Sequence, residues 1–277
     1  LTIAASNVTI AGNFIGTNPA GTLAMPNGGG GSAISQTSGG NNTIGGTTAA
    51  DRNLISGDTF GGIVIQSGDG TRIQGNYIGT DVTGTAAVNV GSDRRGIIIF
   101  DGAPSFLTAN TVIAGNLISG NSTAGMDILS AGGGLIQGNL IGPQRDGVSA
   151  LGNVSYGLLL RGSGFLVGGT SPGQGNIIAH NRFAGGIIVV PDIPASTGNG
   201  ILGNSIFSNS NASNSGLGIS LRGTVFIGPL ANDPCDPDEN SAAKDPKLFG
   251  GQIGGSLEVA EDVSIGTRGT LYHFFSL

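Results

Sequence analysis

Apolar residues in this chain fall in short alternating runs punctuated by glycine and asparagine. The clearest runs follow a glycine: Gly62-Ile63-Val64-Ile65, Gly96-Ile97-Ile98-Ile99, Gly125-Met126-Asp127-Ile128, Gly157-Leu158-Leu159-Leu160, Gly186-Ile187-Ile188-Val189 and Gly218-Ile219-Ser220-Leu221. Successive glycines stand 34, 29, 32, 29 and 32 residues apart. A second run, Gly-Asn-x-Ile, comes round at the same pace, and Arg52-Asn53-Leu54-Ile55 fills its one gap. Between the two lie β-branched triplets such as Thr71-Arg72-Ile73 and Thr111-Val112-Ile113. Runs this short, bounded by Gly or Asn, read as strands. Three of them per turn, in a constant order, predict an all-β fold: a right-handed parallel β-helix of about seven to eight turns.

The true period is two turns. Asn13 to Asn76, Asn76 to Asn139 and Asn53 to Asn116 are each 63 residues apart. A long insertion follows the asparagine on alternate turns, at Thr17 to Gly30, Thr80 to Arg95 and Pro143 to Tyr156. Its copies share Gly21, Gly84 and Gly147, then Ala24, Ala87 and Ala150. Three similar loops are expected to project from one edge, about 9–10 Å apart at twice the strand spacing. Asp81, Asp93, Arg94, Arg95, Arg145 and Asp146 would sit at their tips. The recurring Asn13, Asn53, Asn76, Asn116, Asn139, Asn176 and Asn204 predict a structural ladder. Asparagine tolerates the left-handed backbone of a sharp bend, and stacked amides can donate to one another.

At Gly75-Asn76-Tyr77-Ile78-Gly79-Thr80-Asp81-Val82-Thr83-Gly84-Thr85-Ala86-Ala87 the chain resembles large secreted bacterial proteins of the pectate-lyase-like superfamily. These are right-handed parallel β-helices with similar Gly-Asn-Tyr-Ile-Gly-Thr-Asp repeats. Asn42-Thr43-Ile44-Gly45-Gly46-Thr47 and Asn53-Leu54-Ile55-Ser56-Gly57 look like the other half of that unit. The resemblance spans residues 1–228 and implies the fold far more than an activity. Asn232-Asp233-Pro234 and the residues to Lys247 look like the exit of such a helix, and Gly269 to Phe275 resembles the first strand of a further β module. The expected division is therefore a β-helix over 1–228 and an acidic exit segment, then a module or cap, over 229–277.

Composition narrows the function. The chain carries 54 Gly and no Trp, and its first 228 residues contain neither Glu nor Lys. Those 228 residues are near neutral, and most of the net charge of −6 comes from the tail. With no basic stripe, nucleic acid is not an expected partner, and no stretch is long and apolar enough to suggest a transmembrane segment. Cys235 is alone, so no internal disulfide is expected. Leu1-Thr2-Ile3 begins directly in a strand and reads as a fragment of a longer precursor. Low Lys and abundant Thr, Ser, Asn and Gly suit an extracellular or cell-surface bacterial protein.

Catalytic constellations are sparse. No phosphate-binding, Gly-x-Ser-x-Gly or His-Glu-x-x-His motif occurs. If Ile63 and Ile65 point inward, the matching outward row holds one carboxylate, Asp127, with Arg161 a turn further on. This pair is the candidate for catalysis, although a simple ion pair is the first reading. The rest of that row, Val64, Ile98, Phe100, Leu129, Leu159, Ile188 and Val190, would form an outward apolar stripe. The stripe is expected to be covered by the long loops or the acidic tail, or to be an interface, for instance of a homo-oligomer packed along the axis. Asp233, Asp236 and Asp238 crowd oxygen ligands on one segment, first as a solvated loop and second as a calcium site; no other cofactor is expected. Two functions follow from this: a non-enzymatic scaffold or adhesion module contacting a glycan or protein, or a polysaccharide lyase, hydrolase or epimerase.

Overall fold

The structure is a computed structural model that describes residues 1–27, 31–88, 94–100, 108–130, 132–190, 196–209, 218–221, 252–253 and 257–259. The first turn is β1 (Thr2–Ala4), β2 (Thr9–Ile10) and β3 (Phe14–Ile15), and the second is β4 (Ile34–Ser38), β5 (Thr43–Gly45) and β6 (Leu54–Ile55). The third is β7 (Gly61–Ile65), β8 (Arg72–Gln74) and β9 (Tyr77–Ile78); the fourth is β10 (Arg95–Phe100), β11 (Thr111–Ala114) and β12 (Leu117–Ile118). Then come β13 (Met126–Leu129), β14 (Gly134–Gln137) and β15 (Leu140–Ile141), followed by β16 (Tyr156–Leu160), β17 (Phe165–Gly168) and β18 (Ile177–Ala179). The last turns are β19 (Gly185–Val189), β20 (Asn199–Leu202) and β21 (Ser205–Phe207), then β22 (Ile219–Leu221). Every third strand joins the same parallel sheet. This gives three sheets, β1-β4-β7-β10-β13-β16-β19-β22, β2-β5-β8-β11-β14-β17-β20 and β3-β6-β9-β12-β15-β18-β21. The chain is a right-handed parallel β-helix of about seven to eight turns, as its periodicity predicts. In the tail, β23 (Gln252–Ile253) and β24 (Leu257–Val259) form an antiparallel pair, and β24 extends the second sheet beside β20.

Alternation fills the core. Ile63 and Ile65 of β7, Ile73 of β8 and Ile78 of β9 are fully buried, and Ile97, Ile99, Ile113 and Ile118 repeat them one turn on. Each buried aliphatic of this size stabilises by about 1.5–3 kcal/mol before entropy is charged against it. The glycine that opens each first-sheet strand from β7 onward has a steric cause. A Cβ on Gly96 would lie 2.6 Å from the Gly125 carbonyl and 2.6 Å from Ile118 Cγ2, and one on Gly125 would lie 2.5 Å from the Gly157 carbonyl. The strand enters where the third sheet's isoleucine already occupies the corner.

One expectation is corrected here. The ladder asparagines do not take the left-handed backbone; five of the seven residues before them do, with φ of 72° at Gly12, 65° at Gly75, 64° at Gly115, 62° at Gly138 and 58° at Gly203, whereas Gly175 and Arg52 do not. The bend falls on the residue without a Cβ, and the asparagine is left free to aim its amide along the stack.

Candidate functional site

Strand pairing aligns Ser35, Val64, Ile98, Asp127, Leu159, Ile188 and Ser220 on the outer face of the first sheet, with Phe100 beside Leu129. Of the seven apolar residues in the expected stripe, Val64, Ile98, Leu159, Ile188 and Val190 are buried within the chain. Phe100 is half-buried and Leu129 is 42% exposed. Leu159, Ile188 and Val190 pack as a second apolar cluster, flanked by Tyr156 and Ala184.

Asp127 sits between the two ends of this row. Its Oδ2 lies 3.7 Å from Arg95 Nε on the preceding strand, with the two side chains 25% and 17% exposed in the order Arg95, Asp127. Tyr156, on the following strand, joins them. Burial and then the Asp127 charge push its phenol above the usual range, opposed by the charge and hydrogen bond of Arg95 and by the charge of Arg161. The structure thus brings Arg95 and Tyr156 to the predicted Asp127 and Arg161. Sequence alone puts Arg95 at a loop tip and gives Tyr156 no role, because both precede the glycine that marks the strand.

The asparagines form one continuous column. Each Nδ2 donates to the next Oδ1 from Asn13 through Asn53, Asn76, Asn116, Asn139 and Asn176 to Asn204, at 2.7–3.0 Å. From Asn53 onward each Nδ2 also donates to a second-sheet carbonyl, namely Ile10, Ile44, Ile73, Ile113, Ile136 and Val167 in turn. Each Oδ1 in turn accepts the backbone N–H of the previous rung's asparagine, as between Asn76 and Asn116. Asn53 to Asn204 are buried, so the amides satisfy corner groups that water does not reach.

A second column, unforeseen in the sequence, runs along the corner between the third and first sheets. Asn121 Nδ2 donates to Asn153 Oδ1 at 2.8 Å, Asn153 to Asn181 at 2.9 Å and Asn181 to Asn209 at 2.9 Å. The third-sheet carbonyls of Ile118, Ile141 and Ile178 accept from Asn153, Asn181 and Asn209. Below Asn121 the column continues with Arg94, which is fully buried and so is not at a loop tip as expected. Its guanidinium donates to Asn121 Oδ1 at 3.2 Å and to the Ile55 carbonyl at 3.0 Å. Burial lowers its pKa to about 10, against the raising influence of the Asp58 carboxylate; Arg94 therefore stays charged at neutral pH.

The three insertions close on themselves through the bridges Thr17 to Ala24, Thr80 to Ala87 and Pro143 to Ala150. They also bond to one another, Val82 N–H to the Gly21 carbonyl and Arg145 N–H to the Gly84 carbonyl. Rather than standing free, they lie against the third sheet's outer row: a Cβ on Gly84 would meet Leu117 Cδ2 at 2.8 Å and Tyr77 Cε2 at 3.0 Å. Tyr77 in turn carries the Arg52 guanidinium 4.1 Å above its ring centre. Asp81 organises its loop: Oδ1 accepts the N–H groups of Thr85 and Ala86, and Oδ2 the Thr83 hydroxyl. Burial would raise this carboxyl, but those hydrogen bonds outweigh it and hold it below its ordinary value.

Asp233, Asp236 and Asp238 lie outside the described residues, as do Asp93 and most of the acidic tail. Among the described residues no group of three His, Cys, Asp or Glu side chains converges, and no helix is long and apolar enough to cross a membrane. No family model, curated protein or solved structure matches this chain.

Proposed function

We propose that this chain is a non-enzymatic scaffold or adhesion module of a secreted or cell-surface bacterial protein, contacting a glycan or a protein along its repeated loop edge. The supporting observation is that every aspartate among the described residues already has a structural partner. Asp51 accepts from Thr48, Asp58 from Asn27, Asp69 from Asn110, and Asp81 and Asp146 from their own loops, while Asp127 faces Arg95. A general acid or base must instead reach a bound molecule. Stacked loops on a rigid solenoid suit repeated weak contacts, each adding to the last.

The second reading, a polysaccharide-active enzyme, draws on the Arg95, Asp127, Tyr156 and Arg161 group, which joins a carboxylate, a phenol and cations on one sheet face. One screen separates the two. The protein is incubated with pectin, alginate and related polymers, with or without Ca²⁺, and in parallel applied to glycan arrays. The expected result is binding without chain cleavage or epimerisation. Product formation that disappears in Asp127→Asn would replace the scaffold reading with the enzymatic one.

A further inference from the structure

We infer that Asp58 and Arg94 form a charged key that fixes the register of a solenoid whose other rungs are interchangeable. Repeat proteins face a specific hazard: a shift by one full period leaves like residues facing like. Here the repeat is two turns, 63 residues from Asn13 to Asn76 to Asn139 and from Asn53 to Asn116, while other two-turn intervals differ, as from Ile97 to Leu158 at 61. A slip of two turns would place Asn76 where Asn139 belongs, Ile63 where Met126 belongs and one insertion where the next belongs. Asn–Asn bonds, apolar contacts and loop bridges would all re-form.

The second column is where the rungs cease to be alike. Asp58, Asn121 and Asn153 each lie five residues before the strand partners Ile63, Met126 and Leu158. Their polar atoms meet the corner alike: a Cβ on Gly16 would lie 2.3 Å from Asp58 Oδ2, and one on Gly79 would lie 2.5 Å from Asn121 Oδ1. Asp58 thus occupies a rung as a carboxylate, only 3% exposed. On the intervening turn the same offset gives Ser92, which lies outside the described residues. The Arg94 side chain supplies both bonds of that rung. It donates up to Asn121 Oδ1 and back to the Ile55 carbonyl, as Asn153 donates to Asn181 Oδ1 and to the Ile118 carbonyl.

Two adjacent rungs therefore carry opposite charges in a column otherwise made of amides. Two turns on, the equivalent positions are Asn121 for Asp58 and Ser155 for Arg94, and the rung that Arg94 fills is there made by Asn153. A shifted or swapped rung would bury Asp58 against a neutral amide and take it away from the Arg94 charge on the adjacent rung, whose field it now lies in. Burying an uncompensated charge is strongly unfavourable, and a single buried polar group is known to set register among otherwise equivalent packings. The first column, amide throughout, has no such discrimination.

The test is a double-mutant cycle on the full chain with Asp58→Asn and Arg94→Gln, read by urea unfolding and by native mass spectrometry after refolding. Each single substitution is expected to lower the folding equilibrium constant at least about tenfold, and the double by much less than the product of the two. The parent should refold to one monomeric species, and the double variant to a mixture containing swapped or misaligned oligomers. Arg94→Lys, which keeps the charge and loses the fork, should refold to one species. Additive effects, a single species from the double variant, or a mixture from Arg94→Lys would overturn the proposal.

Discussion

Environment at each residue is set by its place in the turn, and the first asparagine column makes the point quantitatively. Asn116 donates to Asn139 Oδ1 and the Ile73 carbonyl, and accepts from the Nδ2 and backbone N–H of Asn76. Truncation strands several of these groups away from water. Asn116→Ala is expected to cost about 1–3 kcal/mol by urea denaturation. Asn13 is exposed at the end of the column, and Asn13→Ala should cost less than half as much. Asp81 carries a pH signature. Its folded pKa is depressed, so its contribution is present above the unfolded value of about 4 and is lost as pH falls through the lower folded value. The protection factors of the Thr85 and Ala86 amides, taken against the intrinsic exchange rate at each pH, should therefore fall below about pH 4, and Asp81→Asn should abolish that dependence. Most of the first column was legible because Gly-Asn-x-Ile repeats literally. The second was not: Asn121-Ser122-Thr123, Asn153-Val154-Ser155 and Asn181-Arg182-Phe183 share no flanking signature. Its Arg94 rung, moreover, depends on the reach of a long side chain from a different backbone position.

At the level of strands and loops, glycine placement separates two physical roles that look identical in the sequence. Gly115 has φ of 64°, and a Cβ added there would meet nothing within 4 Å, so Gly115→Ala should cost only the left-handed strain, about 1 kcal/mol. Gly84 has φ of 70° and also sits under Leu117, Tyr77 and Arg145. Gly84→Ala must add overpacking to strain, about 2–4 kcal/mol in all. A thermal denaturation series that ranks Gly84→Ala at or below Gly115→Ala would mean that the loops do not lie against the third sheet. Alternation and turn signals made the strands and their order readable from the chain. The loops' packing was not readable, because a turn glycine gives no sign of what lies above it. Arg95 and Tyr156 were missed at the Asp127 group for a related reason: they come together only through the stacking of strands about 30 residues apart.

For the whole molecule, stability in a solenoid is a sum of rung-to-rung interfaces, so no single contact is decisive and the continuity of the columns is. Right-handed coiling, three parallel sheets and an isoleucine core all follow from the repeat; a ligand does not, since the repeat specifies packing and leaves the outer surface free to vary. The most direct test of the stacked-column account is hydrogen exchange of side-chain amides by NMR. The Nδ2 protons of Asn53, Asn76, Asn116, Asn139 and Asn176 should exchange far more slowly than those of Asn13 and of the exposed Asn7 and Asn41. Uniformly fast exchange across all of these amides would contradict the ladder, and with it the register on which the rest of the account stands.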